Sequence, residues 1–207
     1  PWPEPVDGAE VADQVADLFR RHVVFAQDWA PDAGALFAVG SFLMDRWRLF
    51  PKLLAKSPTK RCGKTTYLEC VESVVFKPLF QASISAAALY RIVDQYHPTL
   101  IIDEADRFLK NNEELNGIIN AGHTRRAAYS TRCIEKSGEQ VPLRFSTWGA
   151  QIFATIGRQM DTYVPPEARG FHVAAIFVVY AAYPFTLPGS LRFARDPEAL
   201  RARLAPT

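Results

Sequence analysis

A glycine, a lysine and two threonines follow one another at Gly63-Lys64-Thr65-Thr66, and these residue types suit a polyphosphate. A glycine lets the backbone approach phosphate oxygens closely, and the N–H groups at a helix N-terminus attract an anion. Lys64 would neutralise the β- and γ-phosphates, while the Thr65 hydroxyl would bind Mg²⁺ and Thr66 would contact the α-phosphate. We therefore predict a site for ATP with Mg²⁺ at this segment.

The segment fits the phosphate-binding loop (P-loop) pattern G-x-x-x-x-G-K-[ST] except at its first glycine, where Pro58 stands. Proline gives up its own N–H group, but its fixed φ permits a turn at the entrance of the loop. We expect a reshaped entrance and a retained site. Lys60, Arg61 and Cys62 lie inside the loop and are further candidates for nucleotide binding.

A second motif, Asp103-Glu104, follows the apolar run Leu100-Ile101-Ile102 and resembles a Walker B element. A continuous apolar strand is typical of a parallel sheet covered on both faces, and such strands end where ligands bind. Asp103 would hold Mg²⁺, and Glu104 would activate water as a general base. The predicted catalytic residues are thus Lys64 and Glu104, and the predicted metal ligands are Thr65 and Asp103. Without the phosphate loop, solvated acids at a strand end would be an equal interpretation.

Three polar residues downstream are candidates for sensing the γ-phosphate. Asn120 stands at the end of a predicted helix, and Thr155 and Arg158 stand at the end of a predicted strand beside Asp103-Glu104. A structural role is the alternative for each. The basic segment 123–126 either contacts phosphate or complements the dipole of the preceding helix.

The secondary-structure pattern alternates strands with helices, which predicts an α/β fold. We expect a RecA/AAA+-like P-loop NTPase with a mostly parallel central sheet flanked by helices, preceded by an N-terminal helical segment. The second helix, after Pro31, would bury Leu36, Phe37, Val39, Leu43, Met44 and Trp47. The predicted helices begin at Asp7 and after Pro31 and cover 64–75 and 113–120, and a further helix, capped by Ser83 or Ser85, runs to about Tyr96. The predicted strands cover 51–56, 79–82, 99–102, 144–146 and 151–156.

Composition fits an ordinary globular protein of one domain. The chain has 207 residues, of which 48% are hydrophobic and 22% charged. Its net charge of +2 does not indicate a nucleic-acid-binding domain, and it does not exclude a local basic groove either. Three cysteines without a C-x-x-C pair favour a reducing cytoplasm. The longest apolar run, 173–183, reads as a buried strand or helix and is too short for a membrane span, which needs about 20 residues.

Four segments in the same order resemble an uncharacterised P-loop ATPase family of bacterial, phage and plasmid primase- or helicase-like replication proteins. They are Ser57 to Thr66, Pro98 to Asp106, Asn112 to His123 and Arg144 to Trp148. The resemblance extends from about Pro1 to Thr162. It implies ATP hydrolysis coupled to DNA replication or processing, a DNA or RNA partner, and a homo-oligomer or ring.

The C-terminal tail departs from that resemblance. Similar proteins continue into an Asp-Arg-Ser pattern whose arginine resembles a sensor or finger, and the residues after Thr162 show no such pattern. We therefore divide the chain into a linker and helical segment (1–48), an NTPase core (49–162) and an atypical tail (163–207). A shifted reading frame or a truncated gene would explain the tail, and this hypothesis is wrong if no other frame of the coding DNA restores the pattern.

Two alternative functions stay open at this point. The same site could bind nucleotide without turnover and switch an assembly, which the missing arginine favours. A P-loop kinase acting on a small molecule is the other alternative, although Asp103-Glu104 at a strand end is more typical of ATPases.

Overall fold

The computed structural model describes residues 5–57, 61–105, 109, 112–122, 124–136 and 138–156, and the backbone of 176–184. The predicted site residues Lys60 and Arg158 lie outside the described residues. The helices are α1 (Gly8–His22), α2 (Ala30–Ser41), a 3-10 turn (Met44–Arg46), α3 (Lys64–Glu72), α4 (Ala86–Tyr96) and α5 (Glu113–Ala121). The strands are β1 (Val23–Phe25), β2 (Lys52–Ser57), β3 (Pro78–Gln81), β4 (Thr99–Ile102), β5 (Tyr129–Lys136), β6 (Glu139–Ser146), β7 (Gln151–Ile156) and β8 (Ile176–Pro184).

Side-chain caps fix the beginnings of three helices. Asp7 accepts a hydrogen bond from the Ala9 N–H group at the start of α1, and Ser85 accepts from Ala88 at the start of α4. Asn112 does the same for α5 by accepting from Leu115. Each bond satisfies an N–H group that has no partner within its helix. The predicted start of α1 is confirmed, and of the two caps predicted for α4, Ser83 and Ser85, the structure shows Ser85.

A mostly parallel sheet forms the centre of the molecule, which confirms the predicted α/β class. Its strand order is β1-β8-β2-β7-β4-β3. Neighbouring strands from β8 to β3 run parallel, whereas β1 pairs with β8 in the antiparallel direction. Within the described residues, the helices are too short or too polar to cross a bilayer.

Two apolar cores cover the two faces of this sheet. On one face, α1, α2 and α3 pack Phe19 and Tyr67 against Leu53 and Ile152, all of which are fully buried. On the other face, α4 and α5 pack against a second set of strand residues, Leu54, Leu100, Ile102 and Phe153. Successive strand residues point to opposite faces, so the middle of β2 and β7 and the last three residues of β4 must be apolar on both faces.

The second helix buries a different face from the predicted one. Phe37 is buried as expected, but Leu36 is 65% exposed and Leu43 and Trp47 are also exposed. The helix ends at Ser41 and turns its small residues inward, namely Ala30, Ala33, Gly34, Ala38 and Ser41. Small side chains let the backbone of α2 approach its neighbours closely, and apolar periodicity alone does not reveal this.

The strand β8 falls within the segment 163–207 that the sequence sets apart. It pairs in parallel with β2 from Lys52↔Ile176 to Lys56↔Tyr180. The apolar run 173–183 was expected to form a strand or a helix, and the structure gives a strand. Part of the atypical segment therefore belongs to the central sheet.

Close packing around Gly34 predicts a destabilised variant. A Cβ atom at this position would overlap the Tyr67 hydroxyl and lie 3.0 Å from Phe19 Cε2. We expect Gly34→Ala to lower the free energy of unfolding by about 1–3 kcal/mol in urea titrations, because both rings are buried. Gly117→Ala is the matched control: the added Cβ meets nothing within 4 Å, so it should stabilise α5 by about 0.4–1 kcal/mol. Equal effects of the two substitutions would contradict this packing.

The lowered pKa of Lys52 leads us to expect that the free energy of unfolding depends on pH. Its ammonium donates to the Ile119 carbonyl oxygen over 2.9 Å, and burial lowers the pKa of Lys52 from 10.5 to about 8. Between about pH 8 and 10.5 the unfolded chain therefore holds a proton that the folded chain has released, so stability rises with pH across this window. Below it, the cost of the buried charge is fully present.

We expect Lys52→Met to raise the free energy of unfolding at pH 7 on the order of 1 kcal/mol, and by less at pH 10. The exposed Lys136→Met variant is the control and should show no such pH-dependent difference. A gain for Lys52→Met that stays constant from pH 7 to 10 would show that Lys52 titrates normally.

Candidate functional site

The candidate site lies at the edge of the sheet where β2, β7 and β4 end. Ser57 is the last residue of β2, Thr155 is the last but one of β7, and Asp103 follows β4. The strand β7 lies between β2 and β4 and is parallel to both. The parallel direction brings the segment after β2 and the segment after β4 to the same edge, where α/β folds bind their ligands.

The loop predicted to bind phosphate leads into α3 at Gly63. This residue is the N-cap of α3 and has a φ of 77°, in the left-handed region that favours glycine. Arg61 is also left-handed, with a φ of 61°. The Gly63 carbonyl oxygen accepts the first helical hydrogen bond, from the Tyr67 N–H group at 2.9 Å. The N–H groups of the first helical turn, for which the helix itself offers no acceptor, thus lie beside the loop.

Lys64 is held at the end of β2. Its side chain is only 7% exposed, and its ammonium donates to the Ser57 hydroxyl over 2.5 Å. Ser57 itself is fully buried. The contact keeps a cation at the mouth of the loop. Sequence reasoning assigned no role to Ser57, although its position immediately before the loop was a usable signal.

Thr65 and Asp103 are 38 positions apart in the sequence and are in contact in the structure. The Thr65 hydroxyl donates to Asp103 Oδ2 over 2.8 Å, and Asp103 Oδ1 accepts from the Glu104 N–H group, also over 2.8 Å. A hydroxyl and a carboxylate oxygen side by side are hard ligands of the kind that Mg²⁺ prefers. The donor set therefore fits the ion predicted from the sequence.

Glu104 follows with an unusual backbone. Its φ is 49°, in the left-handed region, and its side chain is exposed at the same edge. Such a conformation costs free energy for a residue with a Cβ atom and is enriched at functional sites. Because of this left-handed backbone, the chain does not continue the extended direction of β4 at Glu104.

Thr155 lies in the strand between the two motifs. It is fully buried and pairs in register with Lys56 of β2. Its hydroxyl oxygen has no hydrogen-bond partner among the described residues. A buried hydroxyl without a partner is costly, so its position at this edge fits a contact with a ligand or with water.

The remaining loop residues differ in accessibility. Arg61 is exposed, Cys62 is buried and Thr66 is half-buried in the first turn of α3. Asn120 is not brought to the loop, because the adjacent Ile119 carbonyl contacts Lys52 at the start of β2. The six residues of β2 separate its ends by roughly 16 Å. The segment after α5, with Arg125 and Arg126, lies on that far side as well.

No family model matches this chain in a scan of its sequence, and a search of curated proteins finds no match. The assignment of a function therefore depends on the geometry of the edge formed by Ser57, Lys64, Thr65 and Asp103.

The Thr65–Asp103 hydrogen bond predicts a measurable energetic coupling in the protein without nucleotide. We expect Thr65→Val and Asp103→Ala to be non-additive by about 0.5–1 kcal/mol in urea unfolding, because each removes the same bond. Thr65→Ser keeps the hydroxyl and should retain most of the coupling. Additive effects of the two substitutions would mean that the bond does not form in solution.

Proposed function

We propose that this chain is a RecA/AAA+-like P-loop NTPase that binds ATP with Mg²⁺ and hydrolyses it. The contact between the Thr65 hydroxyl and the Asp103 carboxylate carries the proposal. These are the two residue types that hold Mg²⁺ in P-loop NTPases, one after the loop lysine and one at the end of a strand. Their meeting at one sheet edge supports a joint role better than either motif does alone.

Nucleotide binding would draw on the loop and on Lys64. The β- and γ-phosphates would accept hydrogen bonds from N–H groups at the start of α3, where the helix dipole also favours an anion. Lys64 would exchange its contact with Ser57 for phosphate oxygens, or share it with them, since an ammonium group has three donors. Arg61, Cys62 and Thr66 would line the remainder of the loop, together with Lys60.

Thr65 and Asp103 would hold Mg²⁺. The ion supplies positive charge against the phosphate oxygens. Within the described residues, no group of three or more His, Cys, Asp and Glu side chains is placed to hold a metal. The ion would thus share its ligands between this pair, the phosphates and water, as Mg²⁺ usually does.

Hydrolysis would use Glu104 as the general base. Glu104 would accept a proton from a water molecule as the water oxygen forms a bond to the γ-phosphorus, and the bond from that phosphorus to the bridging oxygen would break to release ADP. Lys64 would stabilise the charge that develops on the phosphate oxygens. Thr155 is placed to orient the water or the γ-phosphate, a role for which Arg158 is a further candidate.

The wider role follows from the resemblance described above. It supports a module that couples ATP hydrolysis to DNA replication or processing in a mobile-element or phage-like protein, with a homo-oligomeric ring as the working form. An arginine from a neighbouring subunit would complete the site in such a ring.

Binding and turnover can be separated by two substitutions. We expect Mg²⁺–ATP to bind the wild-type chain in a calorimetric titration and Lys64→Ala to weaken binding at least about tenfold, because a buried cation is lost. Glu104→Gln should keep binding and lower phosphate release by about 10²- to 10⁴-fold. The exposed residues Lys136 and Glu113 supply the controls: Lys136→Ala and Glu113→Gln should leave binding and release unchanged.

The alternatives give different results in the same assays. Binding without phosphate release by the wild type would favour the non-hydrolysing switch. Transfer of phosphate to an added hydroxyl compound would favour a kinase. No binding by a folded wild-type chain would refute the proposed site.

A further inference from the structure

Two segments lie side by side at the sheet edge opposite the phosphate loop. Leu49 forms an isolated antiparallel bridge with Thr124, and the Arg125 N–H group donates to the Arg48 carbonyl oxygen over 2.9 Å. The Trp148 indole N–H group, just before β7, donates to the Met44 carbonyl oxygen over 3.2 Å. Segments that are far apart in sequence thus form one continuous surface.

This surface contains a cleft of about 240 Å³. Its walls include Met44, Asp45, His97, Arg125, Tyr129 and Trp148. The volume is below the range typical of sites for drug-sized ligands, so it suits part of a polymer better than a whole small molecule. We call the cleft and the arginines around it the arginine cleft.

Five exposed arginines lie in or beside the cleft. Arg125 lines it, Arg144 contacts Tyr129 of its wall, and Arg46, Arg48 and Arg126 are adjacent to wall residues or to Arg125 through the backbone. Arg125 donates to the backbone oxygen of Asp45 over 2.6 Å, and the Arg144 guanidinium lies 3.5 Å from the centre of the Tyr129 ring. In the part of the chain that the structure describes, none of the five forms an ion pair with a carboxylate, whereas Arg20 and Arg132 elsewhere do. The five arginine charges thus outweigh the carboxylate of Asp45, which lies in the cleft wall.

Exposed aromatic rings alternate with these arginines. Trp47, between Arg46 and Arg48, is 42% exposed, and Tyr129 is 43% exposed. Tyr96, next to His97 in the cleft wall, is 52% exposed. Large apolar rings are costly to leave in water, and rings set among cations are the usual platform on which unpaired bases stack.

We propose that the arginine cleft binds single-stranded nucleic acid. The arginines would contact successive phosphates, while Trp47 and Tyr129 would stack on bases. A duplex hides the faces of its bases, so only a single strand can use both features. The proposal rests on the proposed function in that it names the nucleic-acid partner of the ATPase, but the binding itself requires no nucleotide.

The arginine cleft and the phosphate loop lie at opposite ends of β2. Arg48 precedes this strand and Ser57 ends it, roughly 16 Å from Lys52. A strand in the arginine cleft would therefore leave the phosphate loop open. The arrangement permits both ligands at once, as coupling between them requires.

Fluorescence anisotropy without nucleotide tests the proposal. A labelled oligothymidylate of about 20 nucleotides should bind the full chain, with affinity that falls as salt rises. Arg48→Ala and Arg126→Ala should each weaken binding several-fold and reduce the salt slope by about 0.7. Trp47→Ala should weaken binding roughly tenfold through lost stacking, and Trp47→Phe should keep most of the affinity. An oligouridylate of equal length distinguishes DNA from RNA as the preferred strand.

Matched controls make the result decisive. Arg21→Ala removes an exposed arginine from α1, and Trp29→Ala removes a tryptophan that is 49% exposed away from the cleft. Both should bind like the wild type. The proposal fails if these controls weaken binding as much as the cleft variants, or if the wild type does not bind at low salt. It also fails if a duplex binds as tightly as the single strand, or if polyglutamate competes equally, which would indicate an acidic protein partner. Loss of ATP binding in Lys64→Ala is a separate result, since this assay contains no nucleotide.

Discussion

The parallel direction of β2, β7, β4 and β3 is the constraint on which the other features of this molecule depend. Each parallel strand must be followed by a return crossing over a face of the sheet, and helices make that crossing with their backbone groups paired. Helices on both faces bury both sides of the central strands β2, β7 and β4. Polar residues of the sheet are therefore concentrated at strand ends, where Ser57, Thr155, Lys52 and Gln151 stand.

The parallel direction of the strands also explains why the Gly63-Lys64-Thr65 segment and Asp103-Glu104 meet. The segments after β2 and β4 are separated along the chain, but parallel strands place both at one edge, with β7 between them. The left-handed φ of Gly63 then starts α3 so that its first turn carries Thr65 to within 2.8 Å of Asp103. A local feature of one glycine and a global feature of the sheet are both needed for this contact.

The sequence predicts this edge well because its signals are strong and local. The apolar run of β4 and the glycine before Lys64 each indicate one structural element, whereas the sequence leaves the cap of α4 open between Ser83 and Ser85, and the structure shows Ser85. The hairpin of β5 and β6 was largely missed, with only its last residues, 144–146, predicted as a strand. Most of its residues are exposed, and Pro142 stands within it, so neither alternation nor a continuous apolar run marks it. The same limit applies to α2, where small residues rather than large ones face the core.

The arginine cleft was invisible to the sequence for a different reason. Its residues come from three separate regions, around Arg46, Arg125 and Arg144, and the net charge of +2 conceals them because acidic residues elsewhere balance them. The sequence leaves a phosphate contact open for the segment 123–126, but α5 carries its described residues, 124–126, to the far edge of the sheet. Placing it there requires knowledge of the direction of α5, which runs from the side of Asp103 towards Lys52. The strands β2 and β7 run between the two edges and are apolar and buried over most of their length. Close-packed strands of this kind hold the two edges at a fixed separation.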